Sequence, residues 1–240
     1  MTLIQGDCLL EMDKLIEQGV KVDAIITDPP YGTTACKWDS VIPFDEMWTR
    51  LKALRKDRTP IVLFGSEPFS SHLRLSNIKE YKYDWIWEKE QGANFMSVKY
   101  QPYKIHEIIS VFYNNNYIPQ MTVGKPFISG KGTSGDITRN VIKKQVKNHG
   151  TRYPISIQKY NTEKFKSIHP TQKPVALMEY LIKTYTNETD LVLDFTMGSG
   201  TTGVACKKLN RKFIGIELGD KYFNIAKKRI EETIYQPDLF

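Results

Sequence analysis

An aspartate, two prolines and a tyrosine, Asp28 to Tyr31, directly follow the apolar run DAIIT. Ligands of open α/β sheets bind at the carboxyl ends of strands, so this tetrapeptide is predicted to face a crevice. Pro29 and Pro30 fix φ and carry no N–H, so the turn offers only hydrogen-bond acceptors. Asp28 and the Pro29 carbonyl can each accept one hydrogen of an exocyclic NH2 group while Tyr31 stacks on the ring. The chemistry suits an amino-bearing heterocycle; the alternative is a rigid turn with a buried tyrosine.

A second cluster has the spacing GxGxxG, formed by Gly198, Gly200 and Gly203 immediately after the run LVLDF. Glycines at this junction let the backbone turn tightly and approach a ligand. The next apolar run ends in Glu217, 23 residues beyond Asp194, where a carboxylate can bind ribose hydroxyls. The pattern predicts an adenosine-containing cofactor without specifying which one. The alternative is a turn that only packs a helix on a strand.

The elements that must position these residues alternate between strand and helix signals, which predicts an α/β fold with a doubly wound, mostly parallel sheet. Helical periodicity is seen around Leu9 to Ile16, Val175 to Ile182 and Tyr222 to Ile230. The predicted strands are Asp23–Thr27, Ile61–Phe64, Leu191–Phe195 and Phe213–Glu217, with Tyr83–Trp87 and Glu107–Tyr113 extending the same sheet.

The net charge of +7 over 240 residues is concentrated in one region. Residues 114 to 170 hold ten basic side chains and two acidic ones, a net of +8, which leaves the rest of the chain at −1. A basic region in an otherwise neutral protein is typical of a polyanion-binding surface. The alternative is a loop region that only improves solubility. Residues 114–168 are therefore interpreted as a basic insertion in one domain.

Composition excludes several other classes of protein. No apolar run approaches the roughly 20 residues of a membrane span, and the N-terminus lacks the features of a signal peptide, so a cytoplasmic location without membrane contact is expected. The three cysteines have neither paired spacing nor neighbouring histidines. We therefore expect no disulfide framework and no metal site.

The segments TDPPYG and LDFTMGSGTTGVA together resemble the amino-group DNA methyltransferases that use S-adenosylmethionine. Their order is that of the permuted beta class, in which the catalytic motif precedes the cofactor motif, and small phage or prophage adenine enzymes look similar throughout. The resemblance covers nearly the whole chain outside the basic insertion. It implies a Rossmann-like methyltransferase domain with a catalytic half (1–113), a target-recognition insertion (114–168) and a cofactor-binding half (169–240).

The resemblance also implies roles for individual residues. Thr196, two positions before Gly198, stands where the family usually has an aromatic residue, with Phe195 beside it, which leaves open the side chain that packs on the cofactor. The catalytic residues are Asp28, Pro29, Pro30 and Tyr31. The cofactor-binding residues are Asp7, His169, Thr171, Lys173, Asp194, Phe195, Thr196, Gly198, Gly200, Thr201 and Glu217. The candidates for DNA contacts are Arg139, Asn140, Lys143 and Lys144.

The activity implied is methylation of adenine N6 in double-stranded DNA, with the target base flipped out of the helix. Asp28 favours adenine, because cytosine-N4 enzymes of the family more often have serine there, but a cytosine-N4 enzyme stays an alternative. Three further alternatives stay open: a non-catalytic DNA-binding module, a dinucleotide oxidoreductase, and methylation of RNA or a protein amide. Many relatives form homodimers, so a homodimer stays open as an assembly for this chain, as does a restriction enzyme partner.

Overall fold

The computed structural model describes residues 1–33, 39–92, 94–113, 116–128, 147–162 and 172–235. The chain forms two compact units: residues Met1–Ile118 with Ser156–Phe240, and residues Pro119–Ile155. The predicted insertion, 114–168, has wider bounds than the second unit. The difference arises partly because residues 157–159 form a strand that pairs with the main sheet of the first unit.

Among its described residues, the first unit contains an eight-stranded sheet with six α-helices on its faces. Its strands are β1 (Thr2–Gln5), β2 (Ala24–Thr27), β3 (Ile61–Gly65), β4 (Tyr81–Glu88), β5 (His106–Phe112), β10 (Ile157–Lys159), β11 (Leu191–Asp194) and β12 (Lys212–Glu217). Its helices are α1 (Cys8–Glu17), α2 (Phe44–Leu54), α3 (Phe69–Ser76), α4 (Val175–Tyr185), α5 (Thr201–Lys208) and α6 (Asp220–Glu232). None of these described helices is both long and apolar enough to cross a membrane.

The described part of the second unit contains two short antiparallel ribbons. They pair β6 (Thr122–Val123) with β9 (Thr151–Arg152), and β7 (Phe127–Ile128) with β8 (Lys147–Asn148).

The sheet has the order β1-β12-β11-β2-β3-β5-β4-β10. Its pairs are parallel except where β5 runs antiparallel between β3 and β4. The predicted mostly parallel α/β fold is confirmed, and both longer apolar segments join the sheet as expected. The edge strands β1 and β10 were not predicted. Because β5 is reversed, its first residues lie at the edge where the other seven strands end.

The central strands are apolar throughout because helices cover both faces of the sheet. In β2, Ile26 packs into the core beneath α4, α5 and α6, whereas its neighbour Ile25 packs into the core beneath α1, α2 and α3. In β3, Phe64 packs into the core beneath α4, α5 and α6, and Leu63 packs into the core beneath α1, α2 and α3.

The border between β11 and β2 is a topological switch point. The chain leaves β11 through α5 on one face and leaves β2 through α2 on the other. Connections that diverge in this way open a crevice beyond the carboxyl ends of the two strands.

Candidate active site

A cavity of about 510 Å³ lies at this switch point, a size typical of small-molecule sites. Its lining includes Asp28, Pro29, Pro30 and Tyr31 from the turn after β2, and Phe195 to Ser199 from the loop after β11. The structure therefore brings together two motifs that are far apart in the chain.

The three glycines of the loop are required for different structural reasons. Gly198 has φ +53°, and a Cβ built there would meet no atom within 4 Å, so its backbone is open to a ligand. Gly200 has φ +79°, and its Cβ would lie 2.8 Å from Ala226 Cβ. A Cβ on Gly203 would lie 2.4 Å from Ile230 Cδ1. Gly198 thus leaves the backbone open at the cavity, whereas Gly200 and Gly203 allow α6 to pack closely against the loop and α5.

Glu217, at the end of β12, fixes the backbone at one side of the cavity. Its Oε2 accepts a hydrogen bond from the Gly198 amide at 3.0 Å, and its Oε1 accepts one from the Gly219 amide at 2.8 Å. Burial raises the pKa of this carboxyl, and the two backbone amides oppose the shift. A carboxylate held in this way retains lone pairs for a ligand hydroxyl.

Asp194, at the end of β11, stabilises the glycine loop through hydrogen bonds. One oxygen accepts from the Thr27 hydroxyl at 2.6 Å and the Thr196 amide at 3.2 Å, and the other accepts from the Thr202 hydroxyl at 2.5 Å. Its side chain is buried, and burial raises its pKa to about 6. These protein donors give Asp194 a supporting position; direct contact with a cofactor stays a prediction.

Phe195 and Thr196, the two candidates for packing on the cofactor, have different surroundings in the structure. Phe195 is fully buried in the core yet also lines the cavity. Thr196 donates its hydroxyl to the Asp28 carbonyl oxygen at 3.0 Å, and its Oγ1 lies 2.7 Å from that of Thr27. Thr196 therefore joins the two motifs.

The turn after β2 is held rigidly in place. Asp39 accepts hydrogen bonds from the amides of Gly32 at 2.8 Å and Thr33 at 2.9 Å, and Gly32 has φ +67°. The Tyr31 ring packs against Phe69 with centroids 5.0 Å apart, and its hydroxyl donates to Asp28 Oδ1. This arrangement keeps both Tyr31 and the Asp28 carboxylate at the cavity.

The geometry is that of a nucleoside-type pocket beside an acceptor-only turn, and comparisons with known proteins agree. Residues 22–228 match the N6/N4 methylase family, described as DNA methylase. The chain belongs to this family. The methylase is 30% identical to the type II methyltransferase M.HpaI of Haemophilus parainfluenzae, over 95% of its own length and 74% of that protein.

Two further comparisons extend the match. The methylase is 27% identical to the DNA adenine methyltransferase YhdJ of Escherichia coli (strain K12), covering 96% of its own chain and 82% of the relative. The crystal structure of an M1.HpyAVI–SAM complex aligns with a TM-score of 0.67 and 28% identity, over 95% of the methylase and 98% of that chain. The methylase is thus an S-adenosylmethionine-dependent DNA methyltransferase, and the oxidoreductase alternative has no support.

Lys173, predicted among the cofactor-binding residues, lines the cavity of the methylase beside Asp28, and its direct contact with a cofactor stays a prediction. Its Nζ forms an ion pair with Asp28 Oδ2 at 2.5 Å. Burial raises the pKa of Asp28, and Lys173 opposes that shift. Burial lowers the pKa of Lys173, but Asp28 and Glu107 outweigh it, so the net shift is upward. The lysine thus stays charged beside the carboxylate.

Glu107 is the functional candidate that the sequence analysis missed. It was considered only as a strand residue, yet it lines the cavity with its Oε2 3.3 Å from Lys173 Nζ, and its Oε1 pairs with Lys89. Burial raises the pKa of Glu107, but the two lysines outweigh that effect and lower it overall. The antiparallel direction of β5 is what brings Glu107 to this edge, and no local signal reveals that direction.

Asp7 lies at the opposite wall of the cavity, where it caps α1. Its Oδ1 accepts from the amides of Leu9 at 2.9 Å and Leu10 at 3.1 Å. Leu218 and Tyr222, which no motif indicated, also line the cavity.

Of the other predicted residues, Thr201 begins α5 and lines the cavity. Six predicted residues lie outside the described residues: His169, Thr171, Arg139, Asn140, Lys143 and Lys144.

Proposed function

We propose that the methylase transfers a methyl group from S-adenosylmethionine to the exocyclic N6 of adenine in double-stranded DNA, with Asp28 to Tyr31 as its catalytic turn. The observation that carries this proposal is the single cavity lined by both the Asp28 turn and the Gly198 loop. A site for amino-group transfer needs a cofactor pocket and an amino-binding acceptor array side by side.

The residues present fit the cofactor. Gly198 offers open backbone, Glu217 offers carboxylate oxygens for ribose hydroxyls, and Asp7 lines the same cavity. The family resemblance implies that Asp7 contacts the adenine of the cofactor. Bound S-adenosylmethionine supplies a methyl group already activated by its sulfonium. The protein therefore needs no covalent nucleophile for the transfer.

Asp28 and the Pro29 carbonyl make the amino nitrogen a better attacking group. By accepting its two hydrogens they favour tetrahedral geometry, and the charge of Asp28 stabilises the positive charge that develops on nitrogen. The surplus proton then leaves to Asp28 or water. Tyr31 stacks on the flipped base and offsets part of the few kcal/mol that unstacking costs.

Adenine is preferred as the target base. The resemblance associates an aspartate at position 28 with adenine, and the relative YhdJ is named a DNA adenine methyltransferase. Cytosine N4 is the second candidate, because the matched family covers both amino groups and an acceptor array fits either one.

Residues 114–168 are proposed as the target-recognition region. The described part carries exposed Lys125 and Lys147, and the Arg152 guanidinium lies 4.8 Å from the centre of the Phe127 ring. Cationic and aromatic groups together suit phosphates and bases. We further propose that the enzyme works in the cytoplasm of a bacterial or phage-infected cell, where its DNA substrate is found, and that a homodimer is one of its assembly states.

The test is to express the chain in a host without its own DNA methylation. The host DNA is digested to nucleosides for mass spectrometry, and modified sites are located by sequencing. We expect N6-methyladenine at one short sequence, and none with Asp28→Ala. N4-methylcytosine would favour the second candidate. Purified protein that binds cofactor and DNA yet modifies neither base would overturn the proposal in favour of a non-catalytic module.

A further inference from the structure

Both oxygens of the Asp28 carboxylate already have partners in the protein. Oδ1 accepts the Tyr31 hydroxyl, and Oδ2 lies 2.5 Å from Lys173 Nζ. Oδ2 retains a further lone pair, but the positive charge of an ammonium group this close reduces the negative charge that the oxygen offers to a neutral amino group. Movement of Lys173 away from Asp28 would make Asp28 a stronger acceptor for the target base.

Glu107 provides a second place for that ammonium group. Its Oε2 is buried and accepts no hydrogen bond from the residues that the structure describes, although Lys173 Nζ is only 3.3 Å away. A buried carboxylate oxygen without a hydrogen bond is costly, so a donor that approaches it gains free energy.

The charges of the four ionic groups at this point sum to zero, whichever carboxylate the Lys173 ammonium group approaches. Lys89 pairs with Glu107 Oε1, so the group of Lys89, Glu107, Lys173 and Asp28 has two positive and two negative charges. The Phe64 ring lies 5.2 Å from Lys173 Nζ and supports a cation at this point. A lysine has a flexible stem and three donor hydrogens, so it can move between two acceptors by small rotations.

We propose that Lys173 shifts from Asp28 to Glu107 when the target base enters, which makes Asp28 Oδ2 a stronger acceptor for the base amino group. Glu107 acts as a positioning residue, because it compensates the lysine charge that Asp28 releases. Without Glu107, the carboxylate that lies 3.3 Å from Lys173 Nζ and receives the ammonium group would be missing. This inference rests on the proposed role of Asp28 as the acceptor of the amino group.

The test measures how strongly the protein prefers adenine to unsubstituted purine, which lacks the amino group, at the target position of its own site. Dissociation constants of the two duplexes are compared with S-adenosylhomocysteine present. We expect the wild type to prefer adenine by about tenfold, the value of one good hydrogen bond to a charged acceptor. Glu107→Gln, which keeps the side-chain size, should reduce this preference several-fold.

The decisive comparison repeats Glu107→Gln in a Lys173→Met background. With no ammonium group to accommodate, Glu107→Gln should then leave the preference for adenine unchanged. A structural role for Glu107 predicts an equal loss in both backgrounds, and that result would overturn the inference. If the glutamine variant does not fold, Glu107→Asp is used in its place. Glu107→Asp retains the charge, and its effect on the preference for adenine should show the same dependence on Lys173.

Asp28→Asn separates this inference from the proposed function. If the wild type shows no preference for adenine and Asp28→Asn changes nothing, the role of Asp28 fails. If Asp28→Asn abolishes the preference while Glu107→Gln acts equally in both backgrounds, only the movement of Lys173 fails.

Discussion

The Thr196 hydroxyl donates a hydrogen bond of 3.0 Å to the Asp28 carbonyl oxygen, across 168 positions of the chain. It ties the turn after β2 to the start of the glycine loop, and both segments line the cavity. A shift of either segment is thereby transmitted to the other. Rigid placement of this kind is what a direct transfer between two bound groups requires.

Replacement of Asp28 should abolish catalysis and spare cofactor binding. Asp28→Asn removes the negative charge but keeps the shape, so we expect methyl transfer to fall by at least about 10²- to 10³-fold, as for loss of one transition-state contact. The dissociation constant for S-adenosylmethionine should change by less than about twofold, since the role proposed for Asp28 is to bind the target base and not the cofactor. Transfer of tritiated methyl groups and calorimetry measure the two effects. Full activity of this variant would refute the acceptor role.

Replacement of Glu217 should weaken cofactor binding and largely spare the rate of methyl transfer. Glu217→Ala removes the acceptor for the Gly198 and Gly219 amides, and we expect cofactor affinity to fall about 10- to 100-fold. The rate at saturating cofactor should change much less. Glu17→Ala, on the exposed end of α1, is the matched control and should bind cofactor normally. Unchanged affinity in Glu217→Ala would place the ribose elsewhere.

The two glycines Gly198 and Gly203 should respond differently to alanine. Gly203→Ala forces a methyl group against Ile230 and Phe213, and overpacking of this kind costs about 1–3 kcal/mol of folding free energy. Gly198→Ala meets no atom, but strains a residue at φ +53° by roughly 1–2 kcal/mol and alters the open backbone at the cavity. Urea unfolding and cofactor titration of both variants distinguish the roles. We expect Gly198→Ala to lose at least tenfold in cofactor affinity, an estimate based on about one lost contact, and Gly203→Ala to lose mainly stability.

Asp194 should make the protein less stable as pH rises through the acidic range. Its pKa is raised to about 6 in the folded state from an ordinary 3.8, so between these values the folded protein retains a proton that the unfolded chain has lost. The contribution of Asp194 to the free energy of unfolding therefore falls with rising pH, by up to about 3 kcal/mol between pH 4 and 6. Above pH 6 it adds no further slope.

Asp194→Asn removes this titration while retaining a hydrogen-bonding side chain. Urea unfolding of both proteins at pH 4, 5, 6 and 7 should show the wild type losing stability relative to the variant across that window. A difference that is constant from pH 4 to 6 would contradict the assignment.

The basic insertion should determine how DNA affinity depends on salt. Each phosphate contact contributes about 0.9 to the slope of log K against log salt concentration, so Lys143→Ala with Lys144→Ala should reduce the slope by about two. The matched control is Lys227→Ala with Lys228→Ala, an adjacent exposed pair on α6. Equal slopes for the two double variants would locate the DNA surface outside this lysine pair.

The sequence by itself determined the fold class, the family and both motifs. The reason is that local chemistry carries these features. The apolar runs require a sheet covered on both faces, Pro29 and Pro30 fix φ at their own positions, and Gly198 permits a positive φ. The predicted elements around Asp28 and Glu217 therefore lie close to those observed.

Only the tertiary structure decided the partners of the Asp28 carboxylate. Glu107 reaches the cavity because β5 runs against its neighbours, and Lys173 reaches Asp28 from a segment 145 positions away. Likewise, Asp194 could be placed beneath the loop only once its threonine donors were seen. Strand direction and long-range ion pairs depend on how the whole chain packs, and neither residue type nor spacing records them.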